Sequence, residues 1–434
     1  MSAEPTVDTV RVGLLGCGNV GAAVARMLHD HAEDIALRIG IRLEVSRVAV
    51  RDVTKDRSVP VGAERFTDDP GSLVADPDVD VVVEVMGGVE PAHSLILAAF
   101  AAGKPVVTAN KQLLASFGGD LFEAAARHDV DLLYEASVGG GIPLIRPLLE
   151  GLAGERIVRL TGIVNGTTNH VLTRMGEEGL SLGEAVAEAQ ALGLAEADPT
   201  DDLDGSDSAA KAAILASIAF DAPVVADDVY REGITGLSPD DMANAARLGY
   251  VVKLLAIAEV VDGAVSIRVH PAMIPVDHPL ASVRHSFNAV LIEGERVGEL
   301  MLTGRGAGGD PTATSVVGDL IEAARNLRHG GRSAGAARAR QRSVVPIDDM
   351  PAQYYFLLRV DDRPGVLAAV AAAFAEQAVS IKSVWQDGQG EEAQLVVITH
   401  RAPERAQRAC AARLRELGAV RSVESVIRVE AAEP

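Results

Sequence analysis

The chain has 434 residues, 48% of them hydrophobic, and a formal net charge of −21. That length asks for two or three domains, and that apolar content excludes a chain disordered throughout. The acidic balance excludes a general nucleic-acid or anionic-membrane binder, since both need a basic face, and no apolar run approaches the roughly 20 residues that span a bilayer. Cys17 and Cys410 lie far apart and suggest no disulfide framework, so a reducing compartment fits. Met1 to Thr9 is polar and acidic, unlike a signal peptide. A soluble, cytoplasmic protein without nucleic-acid or membrane partners is expected.

Val10 to Leu15 reads as a buried strand, followed at once by Gly16-Cys17-Gly18-Asn19-Val20-Gly21 and a helical stretch, Ala22 to Leu28. This is G-x-G-x-x-G between strand and helix, the context in which it binds a dinucleotide. The first glycine permits the turn, the second admits the pyrophosphate and the third lets helix and strand pack closely. The second strand, Leu43 to Val50, ends in Arg51-Asp52. Arg51 suits a 2′-phosphate, which favours NADP, while Asp52 keeps NAD open. Val79 to Val85, Pro105 to Val107 and Asp131 to Tyr134 read as further strands. Pro91 to Ala102 and Leu113 to Arg127 read as the helices between them. Such alternation predicts an α/β, Rossmann-type, doubly wound parallel sheet. Its ligands lie beyond the strands' C-terminal ends, where Lys111 and Glu135 fall. Glu135 to Pro143 contains Gly139-Gly140-Gly141. The residues alone favour a plain hinge, with a hard-cation site of carboxylate and carbonyl oxygens as the alternative.

A second, α+β domain begins near Leu144. Arg156 to Val164 reads as a strand, and Asn165-Gly166-Thr167-Thr168-Asn169 offers N-caps for a helix from His170 to Met175. Ser181 and Glu184 form a capping box. Gly193 to Asp207 is an acidic loop broken by Pro199 and Gly205, and Ala209 to Phe220 is an apolar helix with Lys211 as its one cation. Spacing of i, i+4 puts Asp207 and Lys211 one helical turn apart. A lysine is almost never buried unless it is paired. Tyr250 to Ala258 reads equally as helix or strand. Val265 to Val269 and Ala289 to Leu302 alternate like strands. Gly304 to Thr312 is a second glycine-rich loop, opening a helix from Ala313 to Leu327 that is expected to return to the first domain.

Residues 328–342 are rich in Gly, Ala, Ser and Arg and read as a linker. Tyr354 to Val360, Val366 to Gln377, Val379 to Gln386, Ala393 to His400, Pro403 to Leu417 and Val423 to Val429 then follow in βαββαβ order. The linker is expected to keep this module out of the core. The domains are thus predicted as 1–143 with 306–330 for the dinucleotide, 144–305 for substrate and dimerisation, 331–350 as linker and 351–434 as the last module.

Three patches carry a resemblance across nearly the whole chain: Thr108-Ala109-Asn110-Lys111, Asn165 to Asn169, and Gly193 to Lys211 with its Asp198-Pro199-Thr200-Asp201-Asp202-Leu203-Asp204-Gly205-Ser206-Asp207 core. The chain resembles homoserine dehydrogenases that carry a C-terminal ACT (ferredoxin-like) domain. The resemblance implies NAD(P)-dependent interconversion of L-homoserine and L-aspartate 4-semialdehyde. It implies Lys211 as the proton donor and acceptor, with Lys111 between substrate and cofactor. Glu196 and Asp207, with Asp202 and Thr168, would hold the substrate. Gly16, Gly18, Asn19, Val20, Gly21, Arg51, Lys111, Gly193, Glu196 and Gly309 would line the cofactor pocket. A sodium ion would sit at Glu135, Val138, Gly140 and Ile142, which displaces the plain hinge. The resemblance also implies L-threonine as effector and a homodimer or homotetramer. Two other readings compete: a different Rossmann amino- or hydroxy-acid oxidoreductase, and a non-catalytic sensor of dinucleotide and amino acid. A sensor has no need of a buried proton donor, and Asp207 with Lys211 argues against it.

Overall fold

The computed structural model describes residues 8–333, 342–388 and 393–430. Residues 334–341 of the expected linker lie outside the described residues, as does the stretch 1–7. The chain divides into two compact units, the first formed by Met1–Val158, Ala213–Asp228 and Ile292–Arg342, the second by Arg159–Ala212, Val229–Leu291 and Ser343–Pro434.

In the first unit, strands β1 (Asp8–Leu15), β2 (Ile41–Ala49), β3 (Phe66–Thr67), β4 (Val81–Glu84), β5 (Val106–Thr108) and β6 (Leu132–Leu133) form one sheet in the order β3-β2-β1-β4-β5-β6. All neighbouring strands in it pair in parallel. This is the dinucleotide-binding order, which reverses direction between β1 and β4. Val12–Leu15 of β1 and Val81–Val83 of β4 are apolar and buried because both faces of the sheet are covered. Val12 and Leu14 pack with Val24 and Leu28 of α1 (Asn19–Asp30), and with Val316 and Leu320 of the helix Gly309–His329. That last helix joins the first unit, as the sequence predicts. α2 (Ala92–Ala101) and α3 (Lys111–Arg127) follow β4 and β5.

The second unit is built on β7 (Ile157–Ile163), β8 (Tyr230–Arg231), β9 (Tyr250–Val261) and β10 (Ala264–Pro275), with α4 (Gly166–Glu178), α5 (Leu182–Ala191) and α6 (Ser206–Ala219) between β7 and β8. The segment left open between helix and strand is a strand. β9 pairs with β10 along its whole length, Tyr250 with Pro275 through Val261 with Ala264. The turn between them is Asp262-Gly263, both at positive φ (51° and 85°), the pair that closes a two-residue hairpin.

The C-terminal module has β11 (Pro351–Val360), α7 (Val366–Glu376), β12 (Ile381–Asp387), β13 (Gln394–Thr399), α8 (Glu404–Arg415) and β14 (Val420–Val429), the expected βαββαβ order. Its sheet runs β14-β11-β13-β12. Its core of Phe356, Leu358, Phe374 and Leu414 is its own. It is not held apart, however. β14 pairs in parallel with β10, Ala272 with Arg428 and Met273 with Val429, so the module's sheet continues the second unit's sheet. Val265 exchanges backbone hydrogen bonds with Ser343 and Val345, which pins the end of the expected linker. An exposed tether was expected from composition, but β10 still had an unsatisfied edge, and β14 fills it.

Candidate functional site

In the first unit the site begins at the turn after β1. Gly16 has φ +104°, and its N–H donates to the Ala49 carbonyl at the end of β2. A Cβ at Gly16 would lie 2.9 Å from the Val85 oxygen, and one at Gly21 would lie 2.2 Å from the Gly16 oxygen. The first and third glycines are therefore demanded by contact. Gly18, the N-cap of α1, has open space where its Cβ would be. A second helix start meets the first here: a Cβ on Gly309 would lie 2.8 Å from the Asn19 carbonyl. Two helix N-termini thus sit together over an open glycine, which fits the pyrophosphate of a dinucleotide. Gly16, Gly18, Asn19, Val20, Gly21 and Gly309 are brought together as expected. Arg51 stands exposed just past β2, while Asp52 is occupied by the N–H and hydroxyl of Thr54.

The loops after β4 and β5 are tied to one another. Glu84 is fully buried, and its carboxylate accepts from the Thr108 hydroxyl at 2.7 Å and the Met86 N–H at 2.8 Å. Asn110 donates to the Gly88 carbonyl at 2.6 Å and caps α3 by accepting from the Leu113 N–H. Lys111, half-buried, is the first residue of α3. Glu84 went unnoticed in the sequence because it reads as one more residue of an apolar strand.

The four residues assigned to sodium share one buried turn, in which the Glu135 side chain is committed to the backbone. The Glu135 carboxylate accepts from the backbone N–H groups of Leu144, Ile145 and Arg146 at 2.6, 2.8 and 2.8 Å. The Gly140 carbonyl accepts from the Ser315 hydroxyl at 2.6 Å. The glycine run has a different cause, since a Cβ on Gly140 would lie 2.6 Å from the Gly306 backbone. It is neither a bare hinge nor a carboxylate cage. It is the place where the second glycine-rich loop packs. Val138 and Ile142 are buried apolar neighbours in the same turn. Among the described residues no group of three or more His, Cys, Asp or Glu gathers as metal ligands do.

In the second unit the acidic stretch is more ordered than a loop. Thr200–Leu203 is a helical turn, and α6 starts at Ser206, so Asp207 lies in its first turn. Lys211 is 9% exposed. Its Nζ donates to Asp207 Oδ2 and to the Val164 carbonyl, each at 2.7 Å. Asn165 then joins the carboxylates: its Nδ2 donates to Asp207 Oδ2 at 2.8 Å and to Asp202 Oδ1 at 2.6 Å. Its Oδ1 accepts from the Thr168 N–H at 2.8 Å and so caps α4. One side chain therefore starts a helix and clamps two acids. Burial, and then the charge of Asp207, push the Asp202 carboxyl above its ordinary range. Thr168 is buried, and its hydroxyl donates to Asn165, so it builds the cap. Thr167 donates to the Leu194 carbonyl at 2.8 Å and ties α4 to the acidic stretch. Glu196 and Gly193 stand exposed on that stretch, and the Glu196 carbonyl accepts from Gln190. The cluster thus unites Lys211, Asp207 and Asp202 but leaves Glu196 outside it. Asn165 was legible as a cap, while its amide's second task was not.

A family model described as "Homoserine dehydrogenase" matches residues 143–321, and one described as "Homoserine dehydrogenase, NAD binding domain" matches residues 16–135. The homoserine dehydrogenase of Mycobacterium tuberculosis (strain H37Rv) is 50% identical, the alignment covering 97% of this chain and 98% of that protein. That of Corynebacterium glutamicum is 46% identical, over 98% of this chain and 96% of the other. A crystal structure of a homoserine dehydrogenase from Thiobacillus denitrificans aligns with a TM-score of 0.93 at 39% identity, covering 98% of this chain and 99% of that one. A hyperthermophilic archaeal homoserine dehydrogenase mutant, solved in complex with NADPH, aligns with a TM-score of 0.61 at 30% identity, covering 73% of this chain and 98% of the other.

Proposed function

The chain belongs to the homoserine dehydrogenase family, and from that premise we propose how its residues divide the work. The reaction is the NAD(P)-dependent interconversion of L-homoserine and L-aspartate 4-semialdehyde. The nicotinamide nucleotide, when bound, supplies or accepts the hydride. The protein's share is orientation and one proton. Lys211 gives that proton to the developing alkoxide oxygen on reduction and takes it back on oxidation. Its ammonium has three N–H donors. Two go to Val164 and Asp207, and the third serves the substrate oxygen. Asp207 keeps the lysine's charge and direction, and Asn165 keeps Asp207 in place.

Asp202 is the receptor for the substrate's ammonium, with Glu196 closing over it. A half-buried carboxyl whose pKa is raised is one that a bound cation returns to its charged form. The resemblance assigns Lys111 a place between substrate and cofactor. NADP is favoured over NAD because Arg51 stands exposed at the end of the second strand while Asp52 is turned to Thr54. A sodium ion, where bound, would be held by the main-chain carbonyls of Glu135, Val138, Gly140 and Ile142, because the Glu135 carboxylate is taken by amides, and no step is assigned to it.

The C-terminal module is read as an ACT-type regulatory domain with L-threonine as effector, on the strength of its βαββαβ order and β14-β11-β13-β12 sheet. A homodimer or homotetramer is supported by exposed Val384 and Trp385 on the edge strand β12. Both cysteines are free and buried, which fits a cytoplasmic setting.

The observation that carries the reading is the continuous chain Lys211–Asp207–Asn165–Asp202. Its test is NADPH oxidation by the purified protein, offered L-aspartate 4-semialdehyde beside other short aldehydes. Turnover confined to the semialdehyde is expected. Equal turnover with an aldehyde lacking the α-ammonium would overturn the role of Asp202.

A further inference from the structure

Glu84 and Thr108 end β4 and β5 and stand abreast in the parallel register. Glu84 is fully buried. Its carboxylate accepts from the Thr108 hydroxyl on Oε2, and from the Met86 and Gly87 N–H groups on Oε1 at 2.8 and 3.3 Å. None of these three donors is a cation. A buried carboxylate without a cationic partner is costlier to desolvate than an apolar residue, and Val81 to Val83 before it are apolar. Sheet packing therefore gives no reason for an acid here.

What the acid does fix is direction. The Thr108 hydroxyl has one proton. Its oxygen accepts the Asn110 N–H at 3.1 Å, so its own proton goes to Glu84. Asn110 is the N-cap of α3, and its amide also reaches the Gly88 carbonyl. Glu84, Thr108 and Asn110 thus form one polarised relay that closes the loops after β4 and β5 onto each other. It ends at Lys111, the next residue along the chain. A cation in the first turn opposes the helix dipole, so Lys111 does not stand there for the helix's sake. On the other loop Gly87 and Gly88 both have positive φ (75° and 76°), with open space where a Cβ would lie. The relay holds this open backbone and the lysine together.

We propose that Glu84 is a positioning residue for the reaction, acting through Thr108 and Asn110 to set where Lys111 leaves the sheet. The inference rests on the place given to Lys111 between substrate and cofactor, and adds the group that holds it there. Glu84 itself neither gives nor takes a proton in the hydride step. The relay works only if its first member accepts on both sides. Glutamine has one acceptor oxygen, so in its place either the Thr108 hydroxyl or the Met86 amide would face an N–H, with scarcely any change in volume.

The test is steady-state NADPH oxidation with L-aspartate 4-semialdehyde by the full-length enzyme, beside NADPH binding by fluorescence. Thr108→Val keeps the side chain's shape and removes its hydroxyl. It should lower kcat about tenfold, the equivalent of one lost charge-assisted hydrogen bond, with NADPH affinity unchanged. Thr108→Ser keeps the hydroxyl and should keep kcat near native. Glu84→Gln should match Thr108→Val; if it does not fold, the two Thr108 variants carry the test. The decisive comparison is made in Lys111→Ala, which should already be slow. Adding Thr108→Val there should lower kcat by less than about twofold more, because groups that act as a unit are not additive. A full tenfold further loss would overturn the positioning role and leave Lys111 standing. So would a Thr108→Val enzyme with a lowered melting temperature but native kcat. Native kcat in Lys111→Ala itself would overturn both.

Discussion

The first unit makes its phosphate turn by taking side chains away, and the second makes its buried polar cluster by crowding charge together. At Gly16, Gly21 and Gly309 the backbone of one element lies where a Cβ would go, and the useful groups are main-chain N–H donors at helix starts. At Lys211, Asp207, Asn165 and Asp202 the useful groups are side chains, each holding the next. The first device recognises a ligand by shape and partial charge. The second holds a proton and a charge in one place. Substitutions should therefore separate: those in the first unit should act on cofactor affinity, those in the second on turnover and substrate affinity.

The largest effect is expected at Lys211. Lys211→Ala should lower kcat by about 10²–10⁴, the range for a lost general acid–base group, with NADPH binding by fluorescence unchanged. A variant with near-native kcat would remove the proton role from this lysine. Next is Gly21→Ala. Its new methyl must displace the Gly16 carbonyl, at a cost of about 1–3 kcal/mol for overpacking. Cofactor affinity should fall roughly 10- to 100-fold by the same arithmetic, with substrate KM little changed. A fall in kcat without any change in NADPH affinity would break the division between the units.

Asn165→Ala should be intermediate and mixed, because one residue caps a helix and clamps two acids. Loss of the cap should cost about 1 kcal/mol of stability, and the freed carboxylates should raise KM for homoserine severalfold. Asp202 adds a pH dependence. Its folded pKa lies above its unfolded value, so the folded state binds the extra proton. Its contribution to stability is full below the unfolded pKa and is lost as pH rises through the folded pKa. Substrate binding runs the other way, since only the ionised form receives an ammonium. KM should rise as pH falls through the raised pKa, and Asp202→Asn should flatten that limb while raising KM at neutral pH. The smallest effect belongs to Arg51→Ala, where an exposed charge contributes about 1 kcal/mol or less. NADP should weaken a fewfold more than NAD. Equal losses would take the 2′-phosphate away from Arg51.

Much of both devices was legible in the chain. G-x-G-x-x-G needs only its flanking strand and helix to declare itself, because each glycine answers a local geometric demand. Lys211 declared itself by being the one cation in an apolar helix, and Asp207 by lying four residues before it. The Asp262-Gly263 pair was equally local, and it decides the strand character of Tyr250–Val261 against a helix, although apolar periodicity alone could not. Glu196 shows the opposite case. Its place in an acidic run suggested membership of the cluster, but that run folds as a helical turn, Thr200–Leu203, which carries Asp202 inward and leaves Glu196 exposed.

What the sequence by itself determined is whatever depends on near neighbours: the α/β alternation, the phosphate turn, the caps at Asn165 and Ser181, the i, i+4 pair of Asp207 and Lys211, and the βαββαβ order of the last module. Tertiary structure decided what depends on residues distant along the chain. It gave the Asn165 amide two carboxylates to hold and turned Glu135 toward amides. It also set Gly309 against Asn19 and laid β14 on the open edge of β10. The physical reason is that an unsatisfied donor, acceptor or strand edge is visible locally only as a demand. Which group meets it is settled when folding brings distant parts of the chain within hydrogen-bond reach.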